Sequence, residues 1–249
     1  MACSADERRL VSIEFGLLIL GAYLVGSIPS AYIAAKLSRG VDIRRQGDAN
    51  VGATNLLRLT SIWVTLPVII FDLAKGLIMV VPAWLVGLSA TQQVVVGLAV
   101  ILGHSWPVFL GFHGGRGVLT ILGISLALPL VNGFLPWEII AFFVIGLPVK
   151  FIWHSTPLGT LVGMAAMPAV SFGIVRPLPL ALGFLFMFLL MVIIRLVAPR
   201  TPFTSTVVKR QLLLNRLLFD RDIRDREAWI RYAKREISEP NGRGKPGES

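Results

Sequence analysis

The sequence predicts an all-α polytopic membrane protein of about seven transmembrane helices with a cytosolic amphipathic C-terminal helix. Three observations predict it. Of 249 residues, 55% are hydrophobic and only 15% charged, against roughly 25% charged in soluble domains. Mean hydropathy is +0.74. The net charge of +10 sits mainly in short segments between long apolar runs and in a tail, so a membrane surface suits it better than nucleic acid.

An apolar run of about 20 residues crosses the hydrocarbon core as a helix. Such runs lie at roughly 11–37, 61–88, 91–111, 118–136, 137–153, 156–175 and 178–198. The first exceeds the apolar region of a signal peptide and no small-residue cleavage site follows, so it reads as a retained span. The second carries Asp72 and Lys75 in its middle, and the fourth and fifth are separated by a turn at Pro136. No soluble domain of core size remains. The expected division is a transmembrane domain over 1–198 and a basic tail over 199–249.

Orientation follows from Lys and Arg in the links. Arg39, Arg44, Arg45 and Arg58, then Arg116, then Lys150 and the tail fall on one side if the N-terminus is outside; the links at 88–91 and 176–177 hold only Arg176. Arg8 and Arg9 dissent, offset by Asp6 and Glu7. The expectation is a multi-pass protein of a bacterial cell membrane, N-terminus outside and C-terminus cytosolic. In the tail, Val208, Leu212, Phe219, Ile223, Ile230 and Ile237 recur at spacings that suit one face of a helix lying on the leaflet or on the protein's own base.

Cys3 is the one cysteine. That excludes an internal disulfide framework and a Cys/His catalytic pair in the body of the chain, and no His/Cys metal constellation occurs. The sequence calls for no metal and no cofactor.

Three polar clusters fall at the cytosolic ends of their spans, where polar groups at membrane depth point to function. The first runs from Gly26-Ser27-Ile28-Pro29 through Lys36 to the loop Asp42–Asn55, where Arg44 or Arg45 could fork onto a phosphate. It reads equally as a polar link obeying the positive-inside rule. The second is Gly103-His104 and Gly114-Gly115-Arg116-Gly117, leading into an apolar helix with Thr120. Glycines there let backbone N–H groups approach an anion, with Arg116 as counter-charge. An interfacial histidine bonded to backbone is the bland reading of His104 and His113. The third is Asp72 and Lys75, three apart and able to pair as a structural or a catalytic couple.

No acidic residue stands five after His104, His113 or His154, so the His-x4-Asp pattern of acyltransferases using coenzyme A thioesters is missing. An activated donor such as an acyl phosphate would make transfer feasible by positioning and charge stabilisation.

These residues resemble the bacterial acyl-phosphate:glycerol-3-phosphate acyltransferases. The match is specific at Gly26-Ser27-Ile28-Pro29, Asp42-Ile43-Arg44, Gly47, Asn50–Asn55, Asp72-x-x-Lys75-Gly76, Gly103-His104, Pro107-Val108-Phe109, Gly114-Gly115, Gly117-Val118 and Thr120. The resemblance implies a seven-helix enzyme that transfers an acyl group from acyl phosphate to the sn-1 hydroxyl of glycerol 3-phosphate. The products are lysophosphatidate and phosphate, for phospholipid biosynthesis, with a substrate phosphate as base. By position, the family's essential serine and arginine fall on Ser27 and Arg44, and its phosphate-binding glycines on Gly114, Gly115 and Gly117; Asn50 and His104 are further catalytic candidates, and Lys36, Asp42, Thr54, Asn55, Lys75, Arg116 and Thr120 further substrate-binding ones. Expected partners are the two substrates and membrane lipid, without nucleic acid; oligomeric state is left open.

The chain departs from the family pattern at four points. Gly47-Asp48-Ala49-Asn50 replaces Gly-Ser-Gly-Asn, His113 and Arg116 replace two lysines, and the C-terminal Arg-His-x-x-Asn is missing, with Asn215-Arg216-Leu217-Leu218 its one displaced remnant. The tail is also longer. The alternatives are an acyltransferase with another polyol-phosphate acceptor, and a membrane transporter or lipid-binding protein.

Overall fold

The computed structural model describes residues 5–175, 177–198, 208–225 and 227–229, with side chains from Ser12 onward. Arg176, Ile230 and Ile237, used in the orientation and tail readings, lie outside the described residues. Every regular element among the described residues is helical: α1 (Ala5–Gly26), α2 (Ser30–Arg39), α3 (Ala53–Leu59), α4 (Ile62–Leu85), α5 (Ala90–Ser105), α6 (Val118–Val131), α7 (Trp137–Ile152), α8 (Thr156–Val170), α9 (Leu178–Val197) and α10 (Lys209–Phe219). Short 3-10 turns cover Ile43–Arg45 and Val108–Leu110, and a π turn over Ser171–Val175 follows α8.

Each predicted apolar run contains a helix. Five stretches are long and apolar enough to cross a membrane: Ser12–Arg39, Ile62–Leu85, Ala90–Leu110, Thr156–Val175 and Leu178–Val197. With 14 and 16 residues, α6 and α7 rise only ~21 and ~24 Å, short of a ~30 Å hydrocarbon core. The fourth run therefore ends sooner than predicted, at Val131 rather than 136. Its helix is the central one: Ile121, Ile124 and Leu128 are fully buried. Being apolar all round, it needs protein on every side.

Small residues bring the helices into backbone contact, the packing that membranes favour. Where α1 crosses α5, a Cβ on Gly26 would collide with the Val100 carbonyl, and one on Gly103 with that of Tyr23. Where α4 crosses α6, a Cβ on Gly76 would lie 2.6 Å from the Ile124 nitrogen. Where α7 meets α8, a Cβ on Gly159 would lie 2.6 Å from the Gly146 carbonyl. Large apolar side chains such as Leu17, Trp63, Phe151 and Ile193 face outward, as lipid contact requires.

Two expectations are corrected. The first run is not one helix: it breaks over 27–29 between α1 and α2. Pro29 cannot donate to the helix ladder, and it disfavours helical backbone at Ile28. The tail is not one amphipathic helix from 207 to 237 either. α10 stops at Phe219 because Asp220 adopts left-handed backbone at φ 54°. Of the predicted face, Leu212 is buried against the end of the bundle whereas Val208 is 71% exposed, and Asn215 and Arg216 beside it are buried too. The tail docks through reciprocal bonds. Arg195 of α9 donates to the Leu217 carbonyl at 2.9 Å, and Arg216 of α10 donates to that of Leu196 at 2.8 Å.

Candidate functional site

The break between α1 and α2 leaves carbonyls without helical partners at membrane depth, which must be satisfied internally. Lys75 of α4 reaches them, with Nζ 2.7 Å from the Ile28 oxygen and 3.3 Å from that of Gly26. The ammonium is paired with Asp72 at 2.9 Å, and Asp72 Oδ1 also accepts from Ser30 Oγ at 2.6 Å. Thr120 of α6 donates to the Asp72 carbonyl. His104 Nδ1 lies 3.9 Å from Asp72 Oδ1, beyond hydrogen-bond reach. A His–Asp neighbour thus exists in space although no local motif announces it, but the acid is already engaged by Ser30 and Lys75.

The loop after α2 folds around Asn55 at the start of α3. Asn55 Nδ2 faces the carbonyls of Gln46 (2.9 Å), Asn50 (3.1 Å) and Ile43 (3.4 Å), while Oδ1 accepts from the Asp48 amide. Gly47 sits at φ 61° directly against the Asn55 carbonyl oxygen Oδ1, and Ala49 also adopts left-handed backbone at φ 59°. Asp42 caps the Ile43–Arg45 turn through the Arg44 amide and grips the Arg44 guanidinium with both oxygens, at 3.0 Å from Nε and 2.7 Å from Nη2. The hydrogen-bonded guanidinium holds the Asp42 carboxyl below its ordinary value of 3.8. Arg44 also stacks over Tyr32. Asp48 turns to Arg58, not to Arg45, and accepts from the Asn50 amide.

The glycine-rich loop lies against this one. The Gly114 and Gly115 amides donate to the Ser105 and His104 carbonyls, so they are engaged by the end of α5 rather than left to an anion as predicted. What these glycines supply is proximity. A Cβ on Gly115 would strike His104 Nε2 and lie 2.6 Å from the Val51 carbonyl. Gly117 takes φ 71° and opens α6, whose N-terminus carries the positive end of the helix dipole.

Between the two loops and the tail is a cavity of about 410 Å³. Arg44 and Asp48–Val51 form one wall; Ser105, Trp106 and Phe112–Arg116 form the second. The third comes from the end of α9 with Arg216, Asp220–Asp222 and Trp229. Arg116 Nε is 2.7 Å from Asp220 Oδ1. Asn50 Oδ1 is buried and accepts no hydrogen bond from the protein. The lining thus brings four arginines and three aspartates together with one spare acceptor on Asn50, which offers guanidinium groups to phosphate and an oxygen to a hydroxyl.

A family model described as glycerol-3-phosphate acyltransferase matches residues 16–200. The chain belongs to this family. Glycerol-3-phosphate acyltransferase 5 of Dehalococcoides mccartyi is 40% identical over 227 residues, which covers 88% of this chain and 94% of that one. The glycerol-3-phosphate acyltransferase of Geobacter sulfurreducens is 36% identical over 174 residues, 70% of this chain and 86% of that one. The crystal structure of PlsY (YgiH), an integral membrane glycerol 3-phosphate acyltransferase, in its glycerol 3-phosphate form superposes with a TM-score of 0.67. It is 28% identical and covers 85% of this chain and 96% of its own. The lysophosphatidic acid form gives 0.66 at 27% identity, covering 88% and 99%. The chain is an integral membrane protein of the same kind.

In this acyltransferase the three predicted clusters do converge, but not all assigned residues reach the cavity. Arg44, Asn50, Gly114, Gly115 and Arg116 line it. Asp42 supports Arg44. Asn55, Lys75 and Thr120 are buried and hold the loops and the helix break. Ser27 is fully buried, outside the cavity, with no partner for its hydroxyl. His104 lies behind Gly115 and faces a separate narrow crevice lined by Ile28, Pro29 and Ser30. Lys36 bonds the Gly40 carbonyl, and Thr54 is exposed; neither lines the cavity. His113 lines it while its Nδ1 contacts the Gly111 oxygen. The residues that sequence reading missed are Asp220, Arg221, Asp222 and Trp229. Asn215-Arg216, noticed as a displaced remnant, is only half of one: Arg216 lines the cavity, whereas Asn215 is buried on the Asp222 carbonyl.

Proposed function

We propose that the protein transfers an acyl group from acyl phosphate to the sn-1 hydroxyl of glycerol 3-phosphate, at the cytosolic face of the membrane. The observation that carries this reading is the cavity between the two loops, with Arg44 on one wall and Arg116 on the other. Two separated guanidinium groups suit two phosphate-bearing substrates. Asn50 Oδ1 accepts from the attacking hydroxyl. That oxygen forms the new ester bond to the acyl carbon while the bond from carbon to phosphate oxygen breaks, and the electron pair leaves with inorganic phosphate. The hydroxyl proton passes to a phosphate oxygen, in keeping with an engaged Asp72 and a His104 set back from the cavity.

Arg44 and Arg116 neutralise the charge on both phosphates and on the developing oxyanion. Asp42 and the Asn55 staple keep Arg44 and Asn50 in place, so the main contribution of the chain is positioning. Ser27 belongs, on this reading, to the wall behind the site. The acyl chain lies among the outward apolar side chains toward the bilayer.

The donor is tested by incubating protein reconstituted in lipid with glycerol 3-phosphate and either palmitoyl phosphate or palmitoyl coenzyme A. Lysophosphatidate is expected from the phosphate only. Product from the thioester alone would overturn the donor assignment.

A further inference from the structure

The tail segment from 208 to 229 lies beyond the residues 16–200 that match the family model, yet it forms a third wall of the cavity. It is a fixed wall. Leu212 is 2% exposed, Arg216 4% and Asp222 3%. Arg216 Nε sits 2.6 Å from Asp222 Oδ1, and the Arg195–Leu217 and Arg216–Leu196 bonds tie α10 to α9 from both directions. The helix then ends on a residue in a conformation that ordinarily favours glycine or asparagine. That residue is Asp220, and the chain turn aims its carboxylate at Arg116.

Both cavity arginines that the two loops supply are therefore held by a carboxylate. Arg44 is held locally, by Asp42 two residues away. Arg116 has no such neighbour in its own loop, whose sequence around it is Gly114-Gly115-Arg116-Gly117; its carboxylate comes from the distant tail. Asp220 Oδ1 lies 2.7 Å from Nε as an ion pair without an aligned hydrogen bond, and Nη1 donates to the Ile194 carbonyl at 3.5 Å, so charge attraction and one backbone contact together restrain the guanidinium from its inner edge. A long flexible side chain is thereby pre-organised for a planar, two-pronged contact with phosphate.

We propose that Asp220 is a positioning residue for the acyltransferase reaction: by holding Arg116 at Nε it sets the phosphate-binding geometry of the second loop and makes the docked C-terminal segment an integral part of the site. This rests on the reading of Arg116 as a phosphate ligand. The opposite role for the same contact, a carboxylate that competes with substrate phosphate, predicts the opposite sign and is separated by experiment.

The test is a double-mutant cycle on the full chain in lipid, with Asp220→Ala, Arg116→Ala and the pair, and with KM for each phosphate substrate, kcat and Tm as readouts. Asp220→Ala should raise KM for one of the two substrates about tenfold with kcat changed less than about threefold, and should add less than about twofold in the Arg116→Ala background. Asp220→Glu should recover part of the loss. Asp220→Asn, which keeps the shape of the cap, carries the same expectation if the alanine variant folds poorly. A lower KM in Asp220→Ala or Asp220→Asn, an equal effect in both backgrounds, or a fall in Tm with KM unchanged overturns the proposal. The underlying reading fails separately, if Arg116→Ala alone keeps the wild-type KM for both phosphates. Should the wild type not turn over, the reading of the reaction is contradicted. The calorimetric Kd for glycerol 3-phosphate then replaces KM in the same cycle, with the same signs deciding.

Discussion

Lys75 donates to the Ile28 carbonyl at 2.7 Å across the break between α1 and α2. A buried cation in the middle of α4 thus completes the hydrogen bonding of a different helix, while Asp72 offsets its charge. This joins two sequence blocks, Gly26-Ser27-Ile28-Pro29 and Asp72-x-x-Lys75-Gly76, that look unrelated along the chain. Removing one partner of a buried pair leaves an uncompensated charge and costs about 3–5 kcal/mol. Lys75→Met should lower the unfolding temperature of the detergent-solubilised protein and reduce turnover together. Combining it with Asp72→Asn should cost less than the sum of the single changes; full additivity would contradict the coupling.

Ala49 occupies left-handed backbone at φ 59°, where the family pattern has glycine. That conformation costs a residue with a Cβ about 1–2 kcal/mol, more than the roughly 0.4–1 kcal/mol of unfolded-chain entropy that glycine loses. Ala49→Gly should therefore raise Tm slightly and leave turnover intact. A lower Tm would show that the loop has adapted to the alanine.

Gly115 is packed against His104 and the Val51 carbonyl with no room for a methyl group. Gly115→Ala should push the two loops apart, lowering kcat/KM more than about tenfold, as a displacement of order 1 Å at a positioned site does. Unchanged kcat/KM would mean that the contact between the loops does not set the site.

Asp42 has a folded-state pKa depressed by its hydrogen bonds to Arg44. A depressed carboxylate adds stability that is fully present above its unfolded pKa and is lost as pH falls through the folded one. The Tm advantage of wild type over Asp42→Asn should be constant between about pH 6 and 8 and shrink below about pH 4. A gap that widens on acidification would contradict the pairing.

The helical, membrane-spanning architecture was legible because bilayer thickness writes itself into apolar run length. The three polar clusters were legible because polar groups at that depth need a reason. What was not legible depends on contacts between distant segments. A proline breaks the first run, but only the fold shows Lys75 satisfying the break. The glycines of Gly114-Gly115 suggested free amides for an anion; their amides instead close onto Ser105 and His104, an engagement that no local pattern encodes. The tail's apolar spacing predicted a helix, whereas its termination depends on Asp220 adopting a backbone that sequence alone rarely assigns to aspartate. Its part in the cavity depends on a contact with Arg116 that spacing cannot reveal.

On the proposed mechanism, transfer at the cavity between Arg44 and Arg116 depends on the acceptor. The most direct measurement is phosphate release by purified protein in lipid, with palmitoyl phosphate as donor, with and without glycerol 3-phosphate, beside an Arg44→Ala variant shown to insert and fold. Release is expected to require glycerol 3-phosphate, to yield lysophosphatidate in equal amount, and to be abolished in the variant. Release that ignores the acceptor, or wild-type turnover by Arg44→Ala, would contradict it.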